Sequence, residues 1–210
     1  MSNKYLEYFY SRGVGDKTIK DFELGFCTEN GSCSHPEYPP FIDYRFKDSV
    51  LFPIKDLYNN LIAVGSRSIV EKNYIHSSFT KKKHLYGLNV TYKEILKNKR
   101  VWVVEGNFDM LSLYENGIKN VVAMMGSNLS LEQIGLLSRF AEEIIIAADS
   151  DKAGRECAEA SIEVLMENGI DCKRVNLPEG IDPDKFVRDY GKEAFLKLLP
   201  VSLIERVERL

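Results

Sequence analysis

The rhythm of hydrophobic positions changes near residue 100. Before that point apolar runs are short and set among polar stretches. Tyr5 to Ser11 reads as a helix, broken by Arg12-Gly13-Val14-Gly15. Asp16 stands where it would cap a second helix, Lys17–Phe22, closed by Gly25. Residues 27–43 are rich in Gly, Ser, Pro and Asn and read as loop. Val50–Lys55 and Leu61–Ser66 are apolar runs joined by Asp56-Leu57-Tyr58-Asn59-Asn60. Asn tolerates left-handed backbone angles, so a β-hairpin is predicted there. Residues 71–84 are polar and basic around Lys81-Lys82-Lys83.

After residue 100, buried-type runs alternate with amphipathic stretches. Val101–Val104, Val121–Met124, Ile144–Ala148 and Cys172–Leu177 predict strands. Phe108–Glu115, Leu131–Phe140 and Ala153–Glu167 predict the helices between them. Asn116-Gly117 and Asn168-Gly169 act as stops. The tail from Asp182 predicts helix over 184–190 and 192–199. Such alternation implies an α/β fold, a mostly parallel sheet covered by helices on both faces. The expected organisation is a smaller mixed α+β subdomain over 1–98, the α/β domain over 99–180, and an acidic loop with a helical segment over 181–210.

Composition adds bounds. The 210 residues are 44% hydrophobic and 28% charged, enough for a real core and unlike a disordered chain. No run approaches the roughly 20 apolar residues of a membrane span. Met1-Ser2-Asn3-Lys4-Tyr5 lacks the apolar stretch of a signal peptide. Four cysteines form no dense framework, so a reducing cytoplasm is the expected location, with no membrane partner. Net charge is −3, which argues against a generic nucleic-acid binder, but its distribution is uneven. Residues 1–100 hold 16 Lys and Arg against 11 Asp and Glu, a net of +5; residues 101–210 hold 12 against 20, a net of −8. A basic half joined to an acidic half suits a protein that grips polyanions with one part and metal ions with the other. Ordinary scatter produces the same asymmetry, and charge alone does not separate the two.

The candidate chemistry lies where strands end. Val101–Val104 runs into Glu105-Gly106-Asn107-Phe108-Asp109, and Ile144–Ala148 into Asp149-Ser150-Asp151. A third acidic pair, Asp182-Pro183-Asp184, follows Leu177-Pro178-Glu179-Gly180. Carboxylates at the carboxyl edge of an α/β sheet sit where ligands usually bind. Converging carboxylates need compensation, and Mg²⁺ or Mn²⁺ supplies it while keeping positions free for phosphate. Two such ions would lie about 3.5–4 Å apart. The competing reading is that these acids cap the helices that follow them. Neither Glu105 nor Asp149 stands in an ideal cap position, which favours the metal. Cys27, Cys33 and His35 have the wrong number and spacing for zinc, and no zinc site is expected.

These acids also carry a resemblance. Glu105-Gly106-x-x-Asp109 and Asp149-x-Asp151, about 40 residues apart, resemble the two signatures of the Toprim domain, a Rossmann-like fold. Within that superfamily the chain resembles the catalytic core of DnaG-type bacterial and phage primases. Val103–Asp109 is similar to V-V-E-G-Y-x-D, Ala123–Ser127 to A-x-x-G-T, Asp149–Gly154 to D-G-D-x-A-G, and Leu177–Asp184 to L-P-x-G-x-D-P-D. In the basic half, Tyr44–Ile54 is similar to R-F-R-x-R-x-M-F-P-I, Gly65-Ser66-Arg67 to G-G-R, and Phe79–Leu88 to F-x-K-x-x-x-L-Y-G-L. Ser150 departs from the glycine of D-G-D, and Asn73 stands where lysine often precedes tyrosine, with Lys72 beside it. The family's N-terminal zinc-binding and C-terminal helicase-binding domains are not recognisable, as expected of a compact phage-type primase or a catalytic fragment.

The resemblance implies synthesis of short RNA primers on single-stranded DNA from ribonucleoside triphosphates, in the cytoplasm, with a replicative helicase as partner. It makes Glu105, Asp149 and Asp151 the catalytic metal ligands, with Asp109, Asp182 and Asp184 in support. Arg45, Lys47, Arg67 and Lys81 match positions that face template or nucleotide, and Lys72, Lys82 and Lys83 join them as phosphate contacts. A solvated surface run remains the plain reading of the triple lysine. Tyr74 and Tyr86 suit base stacking or core, and Trp102 suits core. The alternatives are a Toprim nuclease using the same acids for hydrolysis, and a non-catalytic nucleic-acid or nucleotide-binding module.

Overall fold

The computed structural model describes residues 3–34, 44–71, 73–126, 128–198 and 201–202. The chain divides into two compact units, residues 1–80 and 81–210.

The first unit holds helices α1 (Lys4–Ser11) and α2 (Asp16–Asp21) and an antiparallel sheet. Its strands β1 (Gly25–Cys27), β2 (Ser49–Lys55), β3 (Leu61–Ser68) and β4 (Tyr74–His76) pair in that order. Asn3 caps α1, its side chain accepting from the Tyr5 N–H at 3.1 Å. The helix buries Tyr5 and Phe9, and Phe9 meets Phe52 of β2 edge to face at 6.4 Å. The predicted hairpin forms as β2 and β3. Asp56 Oδ1 accepts from the Tyr58 and Asn60 N–H groups, and Asn59 takes the left-handed angle, φ +64.

Two local expectations fail here. Gly15, not Asp16, caps α2, and the Asp16 carboxylate instead accepts from the Tyr10 hydroxyl at 2.6 Å. Gly25 does not close that helix but opens β1; the chain reverses earlier, at Glu23 with φ +50.

The second unit holds α3 (Leu88–Asn98), β5 (Arg100–Val104), α4 (Asn107–Glu115), β6 (Val121–Ala123), α5 (Leu131–Leu137), β7 (Glu143–Ile146), α6 (Lys152–Glu167), β8 (Asp171–Arg174), α7 (Pro183–Leu196) and β9 (Val201–Ser202). The sheet order is β6-β5-β7-β8-β9, parallel except for β9 at the edge. Successive residues Val101 to Val104 and Ile144 to Ile146 are all buried. A strand buried at consecutive positions is covered on both faces, as an α/β layer requires.

The boundary expected at residue 98 falls at 80, because α3 packs against β5 and β6 and Tyr86 bridges to Ala123. Residues 181–210 do not stand apart either. Helix α7 packs on α4, and Phe195 lies 5.3 Å from the buried ring of Trp102. The two helices predicted in the tail are arms of α7, bent at Gly191 (φ +79). Among the described residues no helix is long and apolar enough to cross a membrane.

Candidate active site

The chain leaves β5 for β6 on one side, then returns past β5 to place β7 on the other. The carboxyl ends of β5 and β7 therefore form the switch point of the sheet, where a doubly wound fold opens its crevice. Glu105 follows β5 and Asp149 follows β7. Glu105 Oε1 accepts from the Asp149 N–H at 3.1 Å, which stitches the two strand ends together.

The glycines between the acids have steric reasons. Gly106 caps α4, and Asp109 sits at the third helical position. The Asp109 carboxylate folds back to accept from the Gly106 N–H at 3.2 Å. A Cβ on Gly106 would lie 2.7 Å from Asp109 Oδ2. Asp109 also reaches across the unit, accepting from the Asp184 N–H at 3.2 Å. Gly154, in the first turn of α6, is more constrained, since a Cβ there would lie 2.2 Å from the Asp149 carbonyl oxygen.

The capping reading holds for part of the set. Asp151 caps α6, accepting from the Gly154 N–H at 2.7 Å, and Asp182 caps α7, accepting from the Lys185 N–H at 2.6 Å. Asp184 is 1% exposed, and both of its oxygens accept from Arg188, Nε at 2.6 Å and Nη2 at 3.2 Å. It faces a protein cation, so its support for a bound ion is indirect. Among the described residues Glu105 and Asp149 cap no helix: Gly106 caps α4 and Asp151 caps α6. Asp149 Oδ1 is buried without a hydrogen-bond partner among the described residues.

The electrostatics follow from this crowding. The Asp149 carboxyl is pushed up to about 7, first by burial and then by the charges of Glu105, Asp182 and Asp151. Burial raises Glu105; the Asp149 N–H pulls it back, and the charge of Asp151 adds to the rise. Burial also holds Asp109 well above the usual carboxylate range, and the charges of Asp149, Asp182 and Asp184 add to it. Among the described residues no three acidic, His or Cys side chains close into a ready-made metal cage. An all-oxygen donor set with one orphaned buried carboxylate oxygen fits a hard cation that completes its shell with substrate oxygens and water.

The basic candidates divide between the units. Arg45 and Lys47 are exposed, Arg45 within a 3₁₀ turn over Tyr44–Phe46. Arg67 lies on β3 with its guanidinium over the Tyr74 ring, 5.0 Å from the centroid. Lys72 lies outside the described residues, as does His35. Lys81, Lys82 and Lys83 form an exposed 3₁₀ turn that belongs to the second unit, with the acids. Their backbone is held by α5: Ser130 Oγ donates to the Lys82 carbonyl at 2.5 Å, and Gln133 Nε2 to the Lys81, His84 and Met124 carbonyls. Tyr86 is buried, as is Trp102, whereas Tyr74 is 40% exposed.

Sequence reasoning missed three contributors. Arg188 is the counter-ion of Asp184, and its i+4 spacing was the available signal. The rings of Tyr74, His76 and Phe79 succeed one another at 6.4 and 5.9 Å beside Arg67. Ser150 is not a passive replacement for glycine: its Oγ accepts from the Ile181 N–H at 3.0 Å.

A family model described as Toprim-like matches residues 102–187. A DNA primase of Clostridium acetobutylicum is 34% identical, the match covering 99% of this chain and 39% of that protein. The chain thus spans well under half of that relative. The crystal structure of the zinc-binding and RNA polymerase domains of the Aquifex aeolicus primase superimposes with a TM-score of 0.85 at 33% identity, covering 98% of this chain and 58% of that one. A DnaG catalytic core superimposes with a TM-score of 0.78 at 30% identity, covering 92% and 72%.

Proposed function

Because the chain belongs to the family of DnaG-type primase catalytic cores, built around a Toprim domain, we propose that it makes short RNA primers on single-stranded DNA. The reaction is templated nucleotidyl transfer. The 3′-hydroxyl of the growing primer attacks the α-phosphorus of a ribonucleoside triphosphate, a P–O bond forms, and pyrophosphate leaves. The observation that carries this reading is the meeting of Glu105 and Asp149 at the switch point, with Asp149 Oδ1 buried and unpartnered.

Glu105, Asp149 and Asp151 would hold Mg²⁺ or Mn²⁺, with Asp182 beside them and Asp109 and Asp184 behind. When bound, such an ion lowers the pKa of the attacking hydroxyl and offsets charge on the leaving pyrophosphate. Glu105 fixes the backbone of Asp149, and Asp109 fixes the start of α4 to the start of α7. Arg45, Lys47, Arg67, Lys72, Lys81, Lys82 and Lys83 contact phosphates of template and triphosphate without reading sequence. Arg67 with Tyr74 offers a stacking surface for a base. Family membership also supports a cytoplasmic setting and a replicative helicase as partner.

The test is incorporation of labelled ribonucleotides on single-stranded DNA with Mg²⁺ or Mn²⁺. The unmodified chain makes primers, and the double variant Asp149→Ala, Asp151→Ala makes none. Activity surviving in that variant overturns the metal assignment. A nuclease would cut DNA without triphosphates; the match to primases along 99% of the chain, basic half included, does not favour it.

A further inference from the structure

The turn between Asp149 and Asp151 carries a hydroxyl where the D-G-D signature has only hydrogen. Ser150 is 9% exposed, and its Oγ accepts from the Ile181 N–H at 3.0 Å. The same N–H reaches the Pro178 carbonyl at 3.2 Å, closing a turn in which Gly180 takes φ +73. Among the described residues the loop therefore has its own turn and, ahead of α7, a tie to Ser150. Arg155 donates to the Ser150 carbonyl, so the anchor is itself held from α6.

The next residue after Ile181 is Asp182. Its carboxylate is committed to capping α7, so its direction follows the point at which the loop enters that helix. Asp109 holds that helix start at the Asp184 N–H, and Ser150 holds the residue just before it, Ile181. Without the hydroxyl the loop keeps its internal turn and its join to α7, but Asp182 loses the tie on its N-terminal side. The charge of Asp182 is felt by both Asp149 and Asp109, so its place bears on the whole cluster.

We propose that Ser150 is a positioning residue: its hydroxyl holds the Pro178–Asp182 loop against the acid turn, so that Asp182 stands beside Asp149 before any ion arrives. The chain then binds a divalent cation at lower concentration than it would with a bare turn. This rests on the metal reading given above.

The test is a titration of Mn²⁺ into the metal-free chain, followed by the electron paramagnetic resonance of free Mn²⁺, together with hydrogen exchange at the Ile181 amide. Ser150→Ala removes one hydroxyl, and Asp182→Asn keeps the helix cap. Ser150→Ala is expected to weaken Mn²⁺ binding about three- to ten-fold, the scale of one hydrogen bond. It also speeds exchange at Ile181, and Ser150→Thr restores both. Asp182→Asn weakens binding, and adding Ser150→Ala to it changes little more, because the two act through one carboxylate. Binding by Ser150→Ala equal to that of the unmodified chain overturns the proposal, as do losses that multiply in the double variant. No Mn²⁺ binding by the unmodified chain overturns the metal reading and the binding half of this proposal with it. Exchange at Ile181 then judges the tie alone, and exchange unchanged in Ser150→Ala overturns it.

Discussion

Asp149 works against the stability of the metal-free protein, and removing its charge should make that protein harder to unfold. The carboxyl rises from 3.8 to about 7 on folding, so the folded chain holds a proton between those values that the unfolded chain has released. Stability therefore falls as pH rises through that window, and the loss is complete above about pH 7. The full rise corresponds to about 4 kcal/mol. Asp149 is only half-buried, and solvent screening cuts this to about 1–2 kcal/mol. Asp149→Asn keeps the shape and removes the charge. In EDTA at pH 8 it should be more stable than the parent by that amount, with the difference gone near pH 4.

Urea unfolding in EDTA measures it directly. The chain has one tryptophan, and Trp102 is buried in β5 against Phe195, so its fluorescence reports on the unit that holds the acids. The midpoint should move with no change in slope. Adding Mn²⁺ at pH 8 should reverse the order, because the parent gains binding energy that the variant lacks. An Asp149→Asn protein no more stable than the parent at pH 8 in EDTA would refute the reasoning, since it would mean that the acids do not repel one another in the metal-free chain.

Other expectations follow from the same geometry. Gly154→Ala places a methyl group 2.2 Å from the Asp149 carbonyl oxygen and should cost about 3 kcal/mol or more in urea unfolding. Gly135→Ala, in α5 with nothing within 4 Å of the new Cβ, should instead stabilise by roughly 0.5–1 kcal/mol. Arg188→Ala removes the paired cation of a carboxylate that is 1% exposed and should cost about 2–3 kcal/mol. That is less than for a fully buried pair, because Arg188 is 32% exposed on its side chain. A loss under about 1 kcal/mol there would mean that Asp184 is not held as an anion by Arg188.

Most of the α/β unit was legible because its strands are unbroken apolar runs and its stops are Asn-Gly pairs. The elements that were missed lack local signals for physical reasons. Helix α3 starts after Gly87, whose φ is +84, with no side-chain cap, and ends at Lys99 with φ +56 rather than at a glycine. Neither end carries the residue that usually marks it. Strands β4 and β9 are three and two residues long, too short for alternation to show. The bend at Gly191 was visible as a break, but whether the arms join was set by packing on α4 and Trp102.

In the site, residue types were legible and their partners were not. A strand-end acid is the same letter whether it caps a helix, as Asp151 and Asp182 do, or faces a crevice. What separates the cases is which backbone N–H groups reach it, and those come from distant positions. Glu105 takes the N–H of Asp149, 44 residues away, and Asp109 that of Asp184, 75 residues away. Each such bond offsets part of the cost of crowding like charges and needs the backbone close; a Cβ on Gly106 would meet the tip of the Asp109 side chain, and one on Gly154 the Asp149 carbonyl itself. By this accounting Glu105, Asp109, Asp151 and Asp182 are each satisfied by a backbone donor, and Asp184 by Arg188. Asp149 alone keeps a buried carboxylate oxygen with no partner among the described residues. Among the described residues the fold supplies a donor to every member of the cluster except the one at the end of β7, and that is the position the proposed cation would take up.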